Sequence, residues 1–177
     1  MLPRPLAEKL LRSSAGIETG GCLSYQHGDP NVPFFRPERG PESAIAAGFS
    51  LVSRSWLDVF GFETLSGDLN AFSEPNAAII PHSLAVKLFG SENPVGQTIA
   101  KSEGYREAAQ FTIVAVYRDF PKNASLKNDV YTDLKERLLQ DFNNCSTPYF
   151  VRVKQNADIR RIEQDLLPLV WNYAKTY

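Results

Sequence analysis

Residues 77–99, AAIIPHSLAVKLFGSENPVGQTI, constrain the fold of this chain more than any other stretch. The apolar run Ala77-Ala78-Ile79-Ile80 predicts a buried strand. It gives way to a helical pattern with Leu84 and Leu88 four apart, ended by Phe89-Gly90. A polar turn, Ser91-Glu92-Asn93, and a second turn, Pro94-Val95-Gly96, then lead into an alternating segment. Strand, helix, stop and strand each carry their own punctuation. No nucleophile, metal-ligand cluster or phosphate loop is embedded in the segment, so it reads as scaffold.

Elsewhere the same reasoning predicts an irregular alternation of elements. Leu6, Leu10 and Leu11 share a helical face, with Pro5 suited to the first turn and Gly16 a stop. Residues 17–25 predict a weak strand loosened by Gly20-Gly21. Residues 27–41, rich in Gly and Pro, predict a long surface loop. A strand follows over 43–53, then a short helix over 54–60 capped by Ser53, and a brief strand over 62–65. Residues 97–100 and 111–117 predict two strands joined through Gly104. The second, Phe111-Thr112-Ile113-Val114-Ala115-Val116-Tyr117, is the strongest strand signal in the chain. Residues 119–123 predict a turn. Val130, Leu134, Leu138 and Phe142 recur every four residues and predict a helix in at least the second half of 130–142. Residues 149–153 predict a strand. Asn156 would cap a closing helix with Ile159, Ile162, Leu166, Leu169 and Tyr173 in one stripe, kinked or shortened at Pro168. No repeat of fixed period is present. The fold class is α+β, without the regular βαβ units of a doubly wound sheet.

The 177 residues suit one domain or two small subdomains. A net charge of −1 and the lack of any basic stripe argue against nucleic-acid binding. No run approaches the roughly 20 apolar residues that cross a bilayer, and Met1-Leu2-Pro3-Arg4-Pro5 is followed by no apolar leader segment. Taken alone these features predict a soluble cytosolic protein. His27 and His82 have no second His or Cys at ligand spacing, so no metal site is expected. Nucleophile motifs, GxGxxG and Walker A are absent, and no cofactor is expected. Ser83 beside His82 reads as a helix cap rather than a nucleophile. Asp129 and Asp133 read as a solvated face rather than an acid/base pair. Two Asn-x-Ser sequons, at Asn123 and Asn144, are discounted as chance matches to a loose pattern. Cys22 and Cys145 read as two reduced, buried small hydrophobes, with a disulfide as the alternative in an oxidising compartment. Phe60, Phe62, Phe72 and Phe120, near predicted turns, read as core. Phe34 and Phe35, inside the Gly/Pro loop, either fold back on the core or form a contact patch for another chain.

"LAVKLFGSENPVGQTI", followed by "FTIVAVYRDFPKNASL", resembles the extracytoplasmic core domain of MacB-like, FtsX-type ABC transporter permeases. The matching positions are Ala85, Phe89, Gly90, Asn93, Pro94 and Gly96, then Val114, Val116, Asp119, Pro121, Asn123 and Ser125. Upstream, "FSLVSRSWLDVFGFETLSGD" carries Phe60, Leu65, Gly67 and Asp68 in register. The resemblance covers about residues 49–126 well and the ends only in pattern. Ala115 departs from the family's usual Gly, and Trp56 stands near its usual aromatic pair.

The resemblance implies a non-catalytic domain at the inner membrane, facing the periplasm and lying between membrane spans. It implies two permease copies, a separate cytoplasmic ATPase, and an envelope or outer-membrane partner. It also implies two lobes: a membrane-proximal one from both termini, about 1–90 plus 146–177, and a smaller β-rich one, about 91–145. Two rivals stand beside it. One is a stand-alone ligand- or peptide-binding module. The other is a hydrolase assembled from remote residues such as His82, Asp119 and Ser125.

Overall fold

In the computed structural model the described residues are 9, 11–24, 31–103, 106–134 and 148–176. They divide into two compact units, residues 1–25, 52–61 and 134–177 forming one and residues 26–51 and 62–133 the other. The strand that opens the 77–99 segment pairs with the strand at 106–117, so both lie in one sheet. The α+β class holds, with helices and strands mixed along the chain.

The larger unit is built on strands β2 (Val32–Phe35), β3 (Ile45–Val52), β4 (Thr64–Gly67), β5 (Ala77–Pro81), β6 (Thr98–Glu103), β7 (Arg106–Tyr117) and β8 (Asp129–Asp133). Six follow the order β2-β6-β7-β5-β8-β3, and β3 pairs back onto β2 through Val32–Ala47 and Phe34–Ile45, so the pairings close on themselves. Closure leaves no open edge among these six. β5 is buried at all five positions, as its unbroken apolar run requires of a strand covered on both faces. Helix α1 spans Arg54–Phe60, and α2, His82–Phe89, turns Leu84, Ala85, Leu88 and Phe89 inward. Together with Phe34, Phe49, Ala78, Ile80, Ile99, Ile113, Val116 and Val130 they form the main core.

One irregularity decides what β7 faces. It runs parallel to β5, and the register slips between Ala78–Ile113 and Ile79–Ala115. An inserted residue reverses the alternation of a strand. Ile113 and Val116, three apart, therefore both enter the main core, and Tyr117 turns to the other side. There Tyr117, Phe62, Phe120 and Tyr131 pack ring against ring at 5.0–5.9 Å, mostly edge to face.

The smaller unit centres on an antiparallel ribbon of β1 (Ile17–Ser24) and β9 (Tyr149–Val153). Helix α1 lies against β1 so closely that Gly21 meets the backbone of Trp56. Trp56, Phe60 and Phe150 form an aromatic cluster with centroids 4.7–6.5 Å apart. Ser53 precedes α1 but its hydroxyl accepts no backbone N–H of the helix; it shares a hydrogen bond with the Ser55 hydroxyl at 3.2 Å and accepts from Cys22 N–H at 3.1 Å, tying α1 to the ribbon. Arg152 donates to Val59 O at the other end of α1. Helix α3, Ile159–Thr176, packs through Ile162 against Gly16 and through Asp165, which accepts from the Ser14 hydroxyl at 3.0 Å.

Several local expectations are revised. Residues 32–35 of the predicted loop form a strand, as do residues 129–133; the second half of 130–142, predicted as helix, lies outside the described residues. Asp158, not Asn156, caps α3, accepting from Arg160 N–H and Arg161 N–H at 3.0 and 3.3 Å. Asn156 instead takes the left-handed turn before it, with φ 64°. The helix continues through Pro168 to Thr176. Ile159 heads the predicted stripe yet is half exposed.

Candidate functional site

Most of the residues shared with the family motif gather at two places in the larger unit, each with an identifiable folding task, while Phe60 lies in the aromatic cluster of the smaller unit. The first is the connection from α2 to β6. Phe89 is buried, and Gly90 ends α2 by donating its N–H to Val86 O. The Asn93 side chain accepts from Val95 N–H at 3.1 Å, shaping the turn. Gly96 N–H then donates to Ile113 O, and Ile113 N–H to Gln97 O, docking the turn on β7. β6 pairs with the first half of β7 and β4 with its last residues. Between them Asp68 N–H donates to Val114 O. At that approach a Cβ on Gly67 would lie 2.7 Å from Ala115 Cα and closer to Val114 O, so only glycine fits.

The side chain of Arg36 braces the same connection. Its guanidinium donates to Glu38 and, at 2.9 Å, to Glu92, and lies 4.9 Å over the Phe89 ring. Sequence reasoning missed this cluster, because Arg36 and Glu92 are far apart in the chain and show no shared spacing.

The second place is the loop 118–128. The Asp119 carboxylate accepts from Ser83 N–H at 3.0 Å, so the cap of α2 arrives from a distant segment and Ser83 is not the cap. The Asn128 side chain pairs with both backbone groups of Phe120, at 2.7 and 3.1 Å. Tyr131 donates its hydroxyl to Lys127 O, and Tyr117 its hydroxyl to Asp129 O, at 2.6 and 2.7 Å. The base of the loop is thereby clamped, while Lys122, Asn123, Ala124, Ser125 and Lys127 remain exposed. Burial raises the pKa of both tyrosines, so each stays a hydrogen-bond donor. The half-buried Asp129 carboxyl, which accepts from Ser50 at 2.8 Å, is also raised, by burial first, with the Ser50 bond opposing. Gly48 makes room for it, since a Cβ there would overlap the carboxylate. Asp129 lies in a strand and is not part of a solvated helical face.

The other residues singled out by the sequence are placed as follows. Phe34 and Phe35 fold back into the core, at 0% and 7% exposure, which corrects the expectation of a partner contact there. Their strand is held between β3 and β6, and the Phe34 ring packs against Phe49 with centroids 6.0 Å apart. Cys22 is buried, whereas His27 and Cys145 lie outside the described residues. Among the described residues no group of three or more His, Cys, Asp or Glu could hold a metal ion. Of the remote trio, Asp119 is engaged at the start of α2, and His82 and Ser125 are exposed.

A closed β-rich unit whose signature residues serve caps, turns and strand junctions defines an architectural domain of the α+β class. Residues 24–169 match the family described as the MacB-like periplasmic core domain, and the chain belongs to that family. It is thus an extracytoplasmic domain of the kind found in ABC-type transporter permeases. Solved structures agree in fold. A domain assigned to a permease of Porphyromonas gingivalis superposes with a TM-score of 0.71 at 20% identity, over 94% of this chain and 67% of that one. The periplasmic region of MacB from Actinobacillus actinomycetemcomitans gives 0.67 at 15%, over 98% and 74%. The extracellular domain of the noncanonic ABC-type transporter YknZ from Gram-positive bacteria gives 0.65 at 16%, over 98% and 84%. No curated protein matches the chain significantly. Among the described residues no helix is long and apolar enough to cross a membrane.

Proposed function

We propose that this domain is a non-catalytic relay, carrying motion driven by a cytoplasmic ATPase to partners or cargo in the cell envelope. The observation that carries this reading is the use of the motif residues. Asp119, Asn93, Gly67 and Gly96 are all engaged in fixing backbone, which suits a part that transmits displacement. The family match supplies the transporter context. In this reading the unit containing both termini is the membrane-proximal one and is paired with a second permease copy. The other unit presents the clamped loop 121–127 to an envelope partner, since exposed residues on a rigid base can form a defined contact without ordering cost.

The test uses the full-length permease with its ATPase in liposomes. Spin labels at the exposed Val86 of the two copies report the distance between their larger units. The expected result is a distance distribution that shifts between ATP-bound and ADP-bound states. An unchanged distribution, in a transporter shown to hydrolyse ATP, would overturn the relay.

A further inference from the structure

Among the described residues most of the exposed large apolar side chains belong to the last part of the chain, and the two most exposed, Leu167 and Trp171, both 65% exposed, share one face of α3. At 100° per residue, Arg160, Gln164, Leu167, Trp171 and Lys175 form a stripe opposite the inward stripe of Ile162, Leu166 and Leu169. The inward stripe is occupied: Ile162 is buried against Gly16, and Asp165 beside it is bonded to Ser14. The outward stripe has an apolar centre and a cation near each end. Lys175 Nζ lies 5.7 Å over the Trp171 ring. The nearest carboxylate, Glu163, sits on its flank.

We propose that this face of α3 rests in the headgroup layer of an anionic lipid bilayer. Tryptophan favours that layer because its ring is apolar and its N–H is wet. Leu167 adds apolar area beside it. Arg160 and Lys175 reach anionic headgroups while their stems cover apolar surface. Charges on both faces of the helix make it a surface-lying element, not a spanning one. Charge also disfavours a second copy on the same face. An antiparallel pairing sets Arg160 beside Lys175 of the other copy, and a parallel pairing sets each cation beside its own counterpart. The proposal rests on the membrane-proximal placement of the smaller unit. It is tested without ATP turnover, so its failure and that of the relay are separable.

The chain has two tryptophans, and Trp56 is fully buried, so a change in emission on adding lipid reports Trp171. The 177-residue protein is titrated with vesicles of phosphatidylcholine containing phosphatidylglycerol, and with phosphatidylcholine alone. The expected result is a blue shift and vesicle co-sedimentation with the anionic lipid only, reversed by salt. Binding should fall at least tenfold in Arg160→Glu/Lys175→Glu and in Leu167→Ser/Trp171→Ser, the latter read by sedimentation. Circular dichroism matching the parent chain confirms that these solvent-facing variants are folded. Absence of binding to anionic vesicles would overturn the proposal, as would equal binding to both lipids. Self-association on ultracentrifugation that Leu167→Ser/Trp171→Ser abolishes would assign the face to a second copy instead.

Discussion

Replacing Gly21 by alanine isolates the close approach of β1 to α1 from every other role a glycine can play. Its backbone does not lie in the left-handed region, so an alanine there is hindered by space alone. The new methyl would sit 2.7 Å from Trp56 Cβ and closer to Trp56 N and Cα. Ordinary contact requires the ribbon and helix to separate by roughly 1 Å. The obstacle is backbone, which cannot rotate away, so the cost falls near the top of the overpacking range, about 3 kcal/mol. A reduced unfolded-state entropy returns about 0.5 kcal/mol. The net loss, about 2.5 kcal/mol, corresponds to a melting temperature lower by about 5–10 °C for a chain of this size. Gly61, the C-cap of α1, provides the matched control. Its φ of 65° is left-handed, and a Cβ would meet only Arg152 Nη2 at 3.7 Å. Alanine there costs about 1–2 kcal/mol from backbone strain alone, less the same entropic return. Urea titrations of both variants, followed by Trp56 emission, give the comparison. A Gly21→Ala loss no larger than that of Gly61→Ala would refute the seating of α1 on a bare backbone.

Three further outcomes follow from the larger unit. Tyr117→Phe leaves Asp129 O without its hydroxyl partner in a buried setting and should cost about 1–3 kcal/mol in urea unfolding. Asp119→Ala removes the remote cap of α2 and should cost about 1 kcal/mol, with Asp119→Asn recovering most of it in a thermal melt. Asp129 has a pKa raised in the folded state, chiefly by burial, so the folded protein binds its proton more tightly than the unfolded chain does. Stability from this group is therefore fully present below the unfolded value of 3.8 and is lost as pH rises through the folded value. Asp129→Asn should be at least as stable as the parent chain at pH 7, with the difference vanishing in acid. A variant that is less stable at neutral pH would show that the carboxylate contributes more than its burial costs.

The elements legible in the chain are those whose signals are local. The run Ala77-Ala78-Ile79-Ile80, the four-residue spacing of Leu84 and Leu88, and Gly90 specify β5, α2 and its end, because burial on both faces, helical periodicity and a stop act within a few residues. The β-branched residues of 111–117 likewise identify β7. At 130–133 a spacing of four suits both a helix and one side of a strand, and pairing with β5 decides for the strand. The family motif was also readable from residue types, although what its residues do was not. That Asp119 caps α2, that Arg36 grips Glu92, and that Phe34 is core rather than surface depend on segments meeting that are distant in sequence. So does the slip between β5 and β7, which sends Ile113 and Val116 to one face and Tyr117 to the other. Sequence by itself determined the class of fold, most of its strands and helices, and the family. Strand order, register, and which polar groups and aromatic rings are buried were decided only by the tertiary structure, because these follow from long-range pairing in which each strand's partner satisfies its backbone and selects the face its side chains present.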